Sequence, residues 1–135
     1  MYGYKGFNRD LKCRGFQYEI GKTYKINEEP ILCRRGFHFC EQLSDVATYY
    51  PFTKYDVYYD PYYGSRITGF NKSPNRYCVV EAIGDICENK ELGSDTKHAT
   101  NKIRIVRELN QKEISEILHK ENPSSLACAT IYSSI

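Results

Sequence analysis

The spacing of apolar and polar residues predicts a series of short strands. "MYGYKGF", "GFHFC", "RYCVVEAIGDI" and "NKIRIVREL" alternate in polarity or contain β-branched runs, as half-buried strands do. "CRGFQYEIGKTYKI" adds β-forming residues interrupted by Gly15 and Gly21, which predicts two more short strands joined near Gly21. Turns separate most of these segments, so the pattern indicates an α+β fold with a mostly antiparallel sheet and two short helices.

Two segments have the spacing of an amphipathic helix. From Glu41 to Tyr50, apolar residues recur every three or four positions, with Ser44 as a candidate N-cap and Pro51 as the stop. In "NQKEISEILHK", Asn110 and Glu113 have the spacing of a capping box, and the following apolar residues share one face. Residues 110–135 are therefore predicted to be a C-terminal helix and a tail whose mixed pattern suits a last strand.

Residues 51–75 contain no long periodic element. The segment is rich in Pro and Gly and carries seven aromatic residues between Phe52 and Phe70. We interpret it as a Tyr-rich insertion loop in a single domain spanning residues 1–135, since a loop of this length in a compact domain is usually functional. The residues expected to be buried come from the surrounding strands: Phe37, Val79, Val80, Ile83, Ile103 and Ile105.

Composition excludes several classes of protein. Charged residues make up 27% of the chain and the net charge is +2, so bulk charge indicates neither a nucleic-acid-coating protein nor an acidic DNA mimic. The N-terminus lacks the continuous apolar segment of a signal peptide, and no window approaches the roughly 18 apolar residues of a membrane span. We expect a cytoplasmic protein whose six cysteines are free thiols.

Several side chains are candidates for chemistry. Cys33, His38 and Cys40, with Cys13 from a similar Cys-Arg turn, are of the types that bind zinc, but they lack a paired C-x-x-C and predict no metal site. Cys40 with His38 as its base is an unfavourable nucleophile, because residues two apart on a strand seldom form the required hydrogen bond.

Basic and aromatic residues predict a binding surface. Guanidinium groups beside glycines in turns can hold phosphate, and a basic surface interleaved with Tyr suits nucleic acid or an acidic protein partner. The same pattern is compatible with a solvated loop. The candidate binding residues are Arg14, Arg34, Arg35, Tyr58, Tyr59, Tyr62, Tyr63 and Arg66.

Part of the sequence resembles ADP-ribosyltransferases. "GFHFCEQLSDVATYY" resembles their segment in which a Gly-aromatic strand enters a short helix ending in aromatics, and "YKGF" and "CVVEAIGDI" resemble two core strands of their split sheet. The resemblance implies that Lys5 stands where the transferases keep the His or Arg that holds the NAD ribose. It likewise places His38 where they keep the Tyr or Ser that shapes the nicotinamide pocket.

The catalytic Glu of those enzymes has no counterpart at the start of the late strand "TNKIRIV". Glu91 and Asp95 in the preceding loop are the acids that could replace it if the loop folds back. The resemblance to transferases thus implies a split-sheet fold and leaves the activity dependent on Glu91.

A second resemblance covers residues 2–109. The series "CRGFQYEIGKTY", "CRRGFHFC" and "KIRIVREL" is similar to a small uncharacterised domain family associated with phages and bacterial mobile elements. Together with the missing catalytic Glu, this resemblance leads us to expect a non-enzymatic binding or inhibitory module on a transferase-like scaffold. Such a module would need no cofactor and would engage a host protein or nucleoprotein complex, such as a CRISPR or other defence nuclease. The alternative is a mono-ADP-ribosyltransferase that modifies a host target using NAD, with Lys5, His38 and Glu91 as catalytic residues.

Overall fold

The computed structural model describes residues 1–91 and 95–123, and these residues form eleven strands and two helices. The elements are β1 (Tyr2–Phe7), β2 (Lys12–Cys13), β3 (Phe16–Gln17), β4 (Thr23–Lys25), β5 (Phe37–Cys40), α1 (Leu43–Val46), β6 (Thr53–Asp60), β7 (Gly64–Lys72), β8 (Arg76–Ala82), β9 (Ile86–Cys87), β10 (Lys97–Thr100), β11 (Lys102–Glu108) and α2 (Gln111–Glu121).

Seven strands form one sheet in the order β4-β11-β8-β1-β5-β10-β9, and each of these neighbouring pairs is antiparallel. Two further ribbons, β2–β3 and β6–β7, form separate two-stranded sheets. The predicted α+β class with a mostly antiparallel sheet and two helices is confirmed.

Hydrophobic side chains form a cluster on each face of the main sheet. Along β8, Cys78, Val80 and Ala82 belong to one cluster, whereas Tyr77 belongs to the other, as the two-residue period of a strand requires. Leu11 and Tyr18, in the segment after β1, pack into the first cluster. Side chains of α1 and α2 pack into the second. A strand covered on both faces explains why "RYCVVEA" is almost continuously apolar.

Four of the six predicted core residues are buried as expected: Phe37, Val80, Ile103 and Ile105. Val79 is half-buried at the edge of the second cluster. The prediction for Ile83 is wrong, because its side chain is 47% exposed. β8 ends at Ala82, and the chain then turns away through a segment whose amides donate to the Lys102 carbonyl.

α1 is shorter than predicted and is capped differently. It spans only Leu43–Val46, since the amides of Thr48 and Tyr49 bond three residues back, to Asp45 and Val46, and so form turns. The prediction of Ser44 as the N-cap is wrong. The amides of Leu43 and Ser44 donate instead to the carboxylate of Glu121 on α2, at 2.6 and 2.9 Å.

α2 confirms its predicted capping box. The Asn110 side chain accepts from the Glu113 amide at 2.9 Å, and Glu113 reaches back to the Asn110 amide. The tail predicted to carry a last strand, residues 124–135, lies outside the described residues. In the described part of the chain, neither helix has the length and apolarity needed to cross a membrane.

Residues 51–75 form a β-hairpin, so the prediction of an irregular loop is wrong. β6 and β7 pair from Thr53–Lys72 at the base to Asp60–Gly64 at the tip. The three-residue connection is stabilised by Asp60, whose carboxylate accepts from the amides of Tyr62 and Tyr63, and Gly64 adopts a φ of +77°. A glycine with positive φ is typical of a three-residue hairpin turn.

Candidate functional site

A cavity of about 230 Å³ lies beside the point where β1 and β5 meet. Within the described chain these strands pair at one register position, Tyr4 with Cys40. Because the pairing stops there, residues from both faces of the sheet reach the same space. The aromatic part of the lining consists of Tyr4, Phe16, Tyr18, Phe37, Phe39, Tyr49 and Tyr50.

Lys5 closes the gap between β1 and β5. Its side chain is buried, and its Nζ donates to the carbonyl oxygen of His38 at 2.6 Å. The ammonium also lies 5.4 Å from the ring centre of Tyr18. Burial is the main cause that lowers the pKa of Lys5, and the neighbouring Cys13 thiol opposes this shift. The Lys5 side chain therefore donates a hydrogen bond to the main chain of β5 where the strand pairing is missing.

The His38 ring is held by main-chain groups. Its Nε2 accepts from the Cys33 amide at 2.8 Å, and the ring makes a further hydrogen bond to the Gly36 backbone. Burial is the main cause that lowers the pKa of His38 to about 4, helped by the positive charges of Lys5, Lys97 and Arg14. His38 is therefore a neutral ring that fixes the turn before β5.

We expect acid to destabilise the fold through His38. The unfolded chain takes up a proton near the ordinary pKa of 6.5, whereas the folded ring resists until about 4, so the free energy of unfolding falls as pH drops between these values. After allowance for partial exposure, the loss is about 1 kcal/mol. Urea unfolding between about pH 7 and 5 should show this slope in the parent and a flatter one in His38→Gln.

His119 provides the matched control, since it is exposed on α2. His119→Gln should keep the acid-side slope of the parent. An equal slope in His38→Gln and the parent would show that His38 is not the group responsible.

Lys97 and Tyr49 complete the cavity, and the sequence did not predict either as a site residue. Lys97 is brought in by β10, which pairs with β5 through Lys97–Cys40 and Thr100–Phe37. Its Nζ contacts Cys33 Sγ at 3.3 Å and lies 4.5 Å from the ring centre of Tyr49. "KHAT" gave no strand signal, because its polar residues are buried only by long-range pairing. The sequence signal that could have pointed to this part of the cavity was the aromatic pair Tyr49 and Tyr50, which follows α1.

No Asp or Glu is among the described residues that line the cavity. Glu91, the candidate replacement acid, is exposed and outside this lining, and its amide donates to Asn89 Oδ1. Asp95 Oδ2 accepts from the Tyr49 hydroxyl at 2.5 Å, so it lies behind the Tyr49 ring. Of the three predicted catalytic residues, the fold thus brings together Lys5 and His38 but not Glu91.

The predicted basic residues lie on different elements of the fold. Arg14 is exposed and belongs to the lining of the cavity. Arg34 and Arg35 are exposed on the turn before β5, where Arg35 Nε donates to the Glu29 carbonyl at 2.8 Å. Arg66 lies on β7 opposite Tyr58.

The predicted tyrosines all belong to the hairpin. Tyr58 and Tyr59 lie on β6, where Tyr59 pairs with Ser65. Tyr62 and Tyr63 form the tip, and their side chains are 91% and 87% exposed. Two adjacent aromatic rings are thus presented to solvent by a turn that Asp60 fixes.

Comparison with known proteins identifies a family. Residues 1–117 match the model of a family described as a domain of unknown function, DUF7666. The chain belongs to this family. No match was found among curated proteins or among solved structures.

The DUF7666 match includes all eleven strands and the first part of α2. The cavity, the basic turns and the Tyr-bearing hairpin therefore all belong to the family domain. The family description assigns no activity to any of them, so functional inference depends on the geometry of these sites.

The thiols of the DUF7666 domain are free in the described residues, with Cys40 and Cys78 buried and Cys33 exposed. Burial is the main cause that raises the pKa of Cys40 and of Cys78 to about 12, so neither forms a thiolate readily. Across residues 1–91 and 95–123, no group of three or more His, Cys, Asp or Glu side chains is arranged to hold a metal ion.

Proposed function

We propose that the chain is a non-enzymatic binding module that engages a macromolecular partner through the tip of the β6–β7 hairpin. The observation that carries this proposal is the exposure of Tyr62 and Tyr63, at 91% and 87%, on a turn fixed by Asp60. Tyrosine rings provide a large apolar area and a polar tip at low entropic cost, which is why they are enriched at interfaces. A preformed turn further lowers the cost of ordering on binding.

The hydrogen bonds of Lys5 and His38, two of the three catalytic candidates, support a binding role. Lys5 donates to the His38 carbonyl, and the His38 ring is occupied by the Cys33 and Gly36 backbones. A general acid or base needs a polar atom within reach of the substrate. An anionic group that stabilises developing positive charge is likewise missing from the described lining of the cavity.

The partner class follows from the resemblance to domains of phages and mobile elements. On that basis the partner is a host protein or nucleoprotein complex in the cytoplasm, such as a defence nuclease, and binding inhibits it. Exposed Arg34 and Arg35 suit the anionic part of a nucleoprotein surface. Direct nucleic-acid binding is a weaker hypothesis, since the net charge of the chain is only +2.

We expect Tyr62→Ser combined with Tyr63→Ser to weaken partner binding by roughly 10- to 30-fold, because interface aromatics carry a large share of binding energy. Affinity capture from host lysate with the parent chain identifies the partner by mass spectrometry. Titration of the purified partner then measures the loss. The rings have few contacts within the chain, so the variant should keep the parent melting temperature.

Tyr2→Ser is the matched control, since Tyr2 is also an exposed tyrosine but lies on β1. It should bind like the parent. Equal binding by the double variant and the parent would contradict the proposed hairpin interface.

The second candidate is a mono-ADP-ribosyltransferase on an ADP-ribosyltransferase-like scaffold. One observation favours it: Lys5 and His38, the residues implied by the resemblance, line the same cavity. This candidate requires labelled NAD to modify a host protein, with the label lost in His38→Gln or Glu91→Gln. Such a result, with partner binding unaffected by the tyrosine changes, would replace the binding-module proposal.

A further inference from the structure

Lys97 carries a buried charge for which the described residues form no ion pair. Its side chain is only 8% exposed, yet the contacts of its ammonium are a thiol sulfur of Cys33 and the ring of Tyr49. An ammonium has three donors, and a thiol is a weak acceptor. In the described residues no carboxylate lies within ion-pair distance of Lys97, although five other ion pairs are formed. Buried lysines without a partner are rare in proteins.

The surroundings of Lys97 increase the positive charge. Lys5 and Arg14 line the same cavity, and the described lining contains no acid. Burial is the main cause that lowers the pKa of His38, followed by the charges of Lys5, Lys97 and Arg14, which line the same cavity as the His38 ring. Asp95, behind Tyr49, is already bound to the Tyr49 hydroxyl. Lys97 is one of the causes that lower the pKa of Asp95, so this carboxylate offsets part of the charge from outside the lining, whereas the described lining itself contributes no anion.

The walls of the cavity are aromatic. Phe16 and Tyr18 contact each other at 4.8 Å between ring centres, and Tyr49 provides a ring beside the Lys97 ammonium. Phe16 and Tyr49 are each about half exposed, which places them at the opening of the cavity. Aromatic walls with a buried cation suit a planar ring that bears a negative group.

We propose that this cavity binds a small monocyclic aromatic carboxylate, with the carboxylate on Lys97 and the ring against the aromatic wall. The volume of about 230 Å³ is below the roughly 300 to 1,000 Å³ of clefts for drug-sized ligands, so one ring with one short anionic group fits. A phosphate dianion is usually held by several main-chain amides, whereas a carboxylate needs few donors, so the Lys97 ammonium suits a carboxylate better than a phosphate. This ligand site is separate from the hairpin tip.

Benzoate is the direct probe, and benzamide is its neutral isostere. Calorimetric titration of the full chain should give saturable benzoate binding, with benzamide and phenyl phosphate each at least tenfold weaker. Lys97→Met should weaken benzoate binding at least tenfold and melt at or above the parent temperature, because it removes an unpaired buried charge. Lys112→Met removes an exposed charge outside the cavity and should leave binding unchanged.

Tyr49→Leu provides a second variant in case Lys97→Met folds poorly. It removes an exposed part of the aromatic wall and should weaken benzoate binding several-fold. The proposal is overturned if benzoate does not saturate, if benzamide binds as tightly, or if Lys97→Met and Tyr49→Leu both bind benzoate like the parent. Tighter binding of phenyl phosphate than of benzoate would overturn the assignment to carboxylates.

Discussion

Gly36→Ala should destabilise the fold by about 3 to 5 kcal/mol, from the combined cost of backbone strain and overpacking. Gly36 has a φ of +110°, which side-chain-bearing residues rarely adopt, and an added Cβ would lie 2.8 Å from the Thr100 carbonyl oxygen. That oxygen belongs to the main chain of β10 and cannot move without disturbing its pairing with β5. Urea unfolding of the parent and the variant measures the difference.

Gly21→Ala is the control that separates the two causes. Gly21 has a φ of +89°, but an added Cβ would meet no atom within 4 Å. Its cost should therefore be limited to backbone strain, about 1 to 2 kcal/mol. If Gly36→Ala costs no more than Gly21→Ala, the close approach of β10 to the turn before β5 is incorrect.

The strands and helix with a strong local signal were predictable from the sequence. β1, β5, β8 and β11 have alternating or β-branched patterns, and α2 begins with a capping box, so local chemistry alone specifies them. α1 was predicted in the right place but too long, because its helical spacing continues through residues that form turns. The group that caps it, the Glu121 carboxylate, is 77 residues from Ser44, so the sequence around α1 gives no sign of it.

The strand β10 and the β6–β7 hairpin were not predicted. β10 contains Lys97 and His98, whose burial depends on pairing with β5 and on distant partners such as Glu41, which His98 contacts at 2.7 Å. The β6–β7 hairpin was obscured by its Pro and Gly residues, although Gly64 is what its turn requires. In both cases the deciding interactions lie across strands, whereas the sequence pattern reports only neighbours along the chain.

The candidate site was predictable only in part. The resemblance to transferases placed Lys5 and His38 together, and the structure brings both to one cavity. The sequence did not predict the main-chain hydrogen bonds of Lys5 and His38. The Lys5 bond forms where β1 and β5 stop pairing, and the His38 bond depends on the conformation of the turn before β5. Lys97 is recognised as a site residue only from the structure, because the pairing of β10 with β5 brings it to the cavity.

Ile103→Ala should cost about 2 to 4 kcal/mol, because it removes buried methyl groups and leaves a cavity. Ile103 is fully buried in the first cluster, where β11 pairs with Ala82 of β8. Ile83 is the matched control, because it has the same side chain and directly follows Ala82, the residue that pairs with Ile103. Since it is 47% exposed, Ile83→Ala should cost less than about 1 kcal/mol. Denaturant unfolding of both variants gives the comparison, and equal losses would mean that β8 does not end at Ala82 as described.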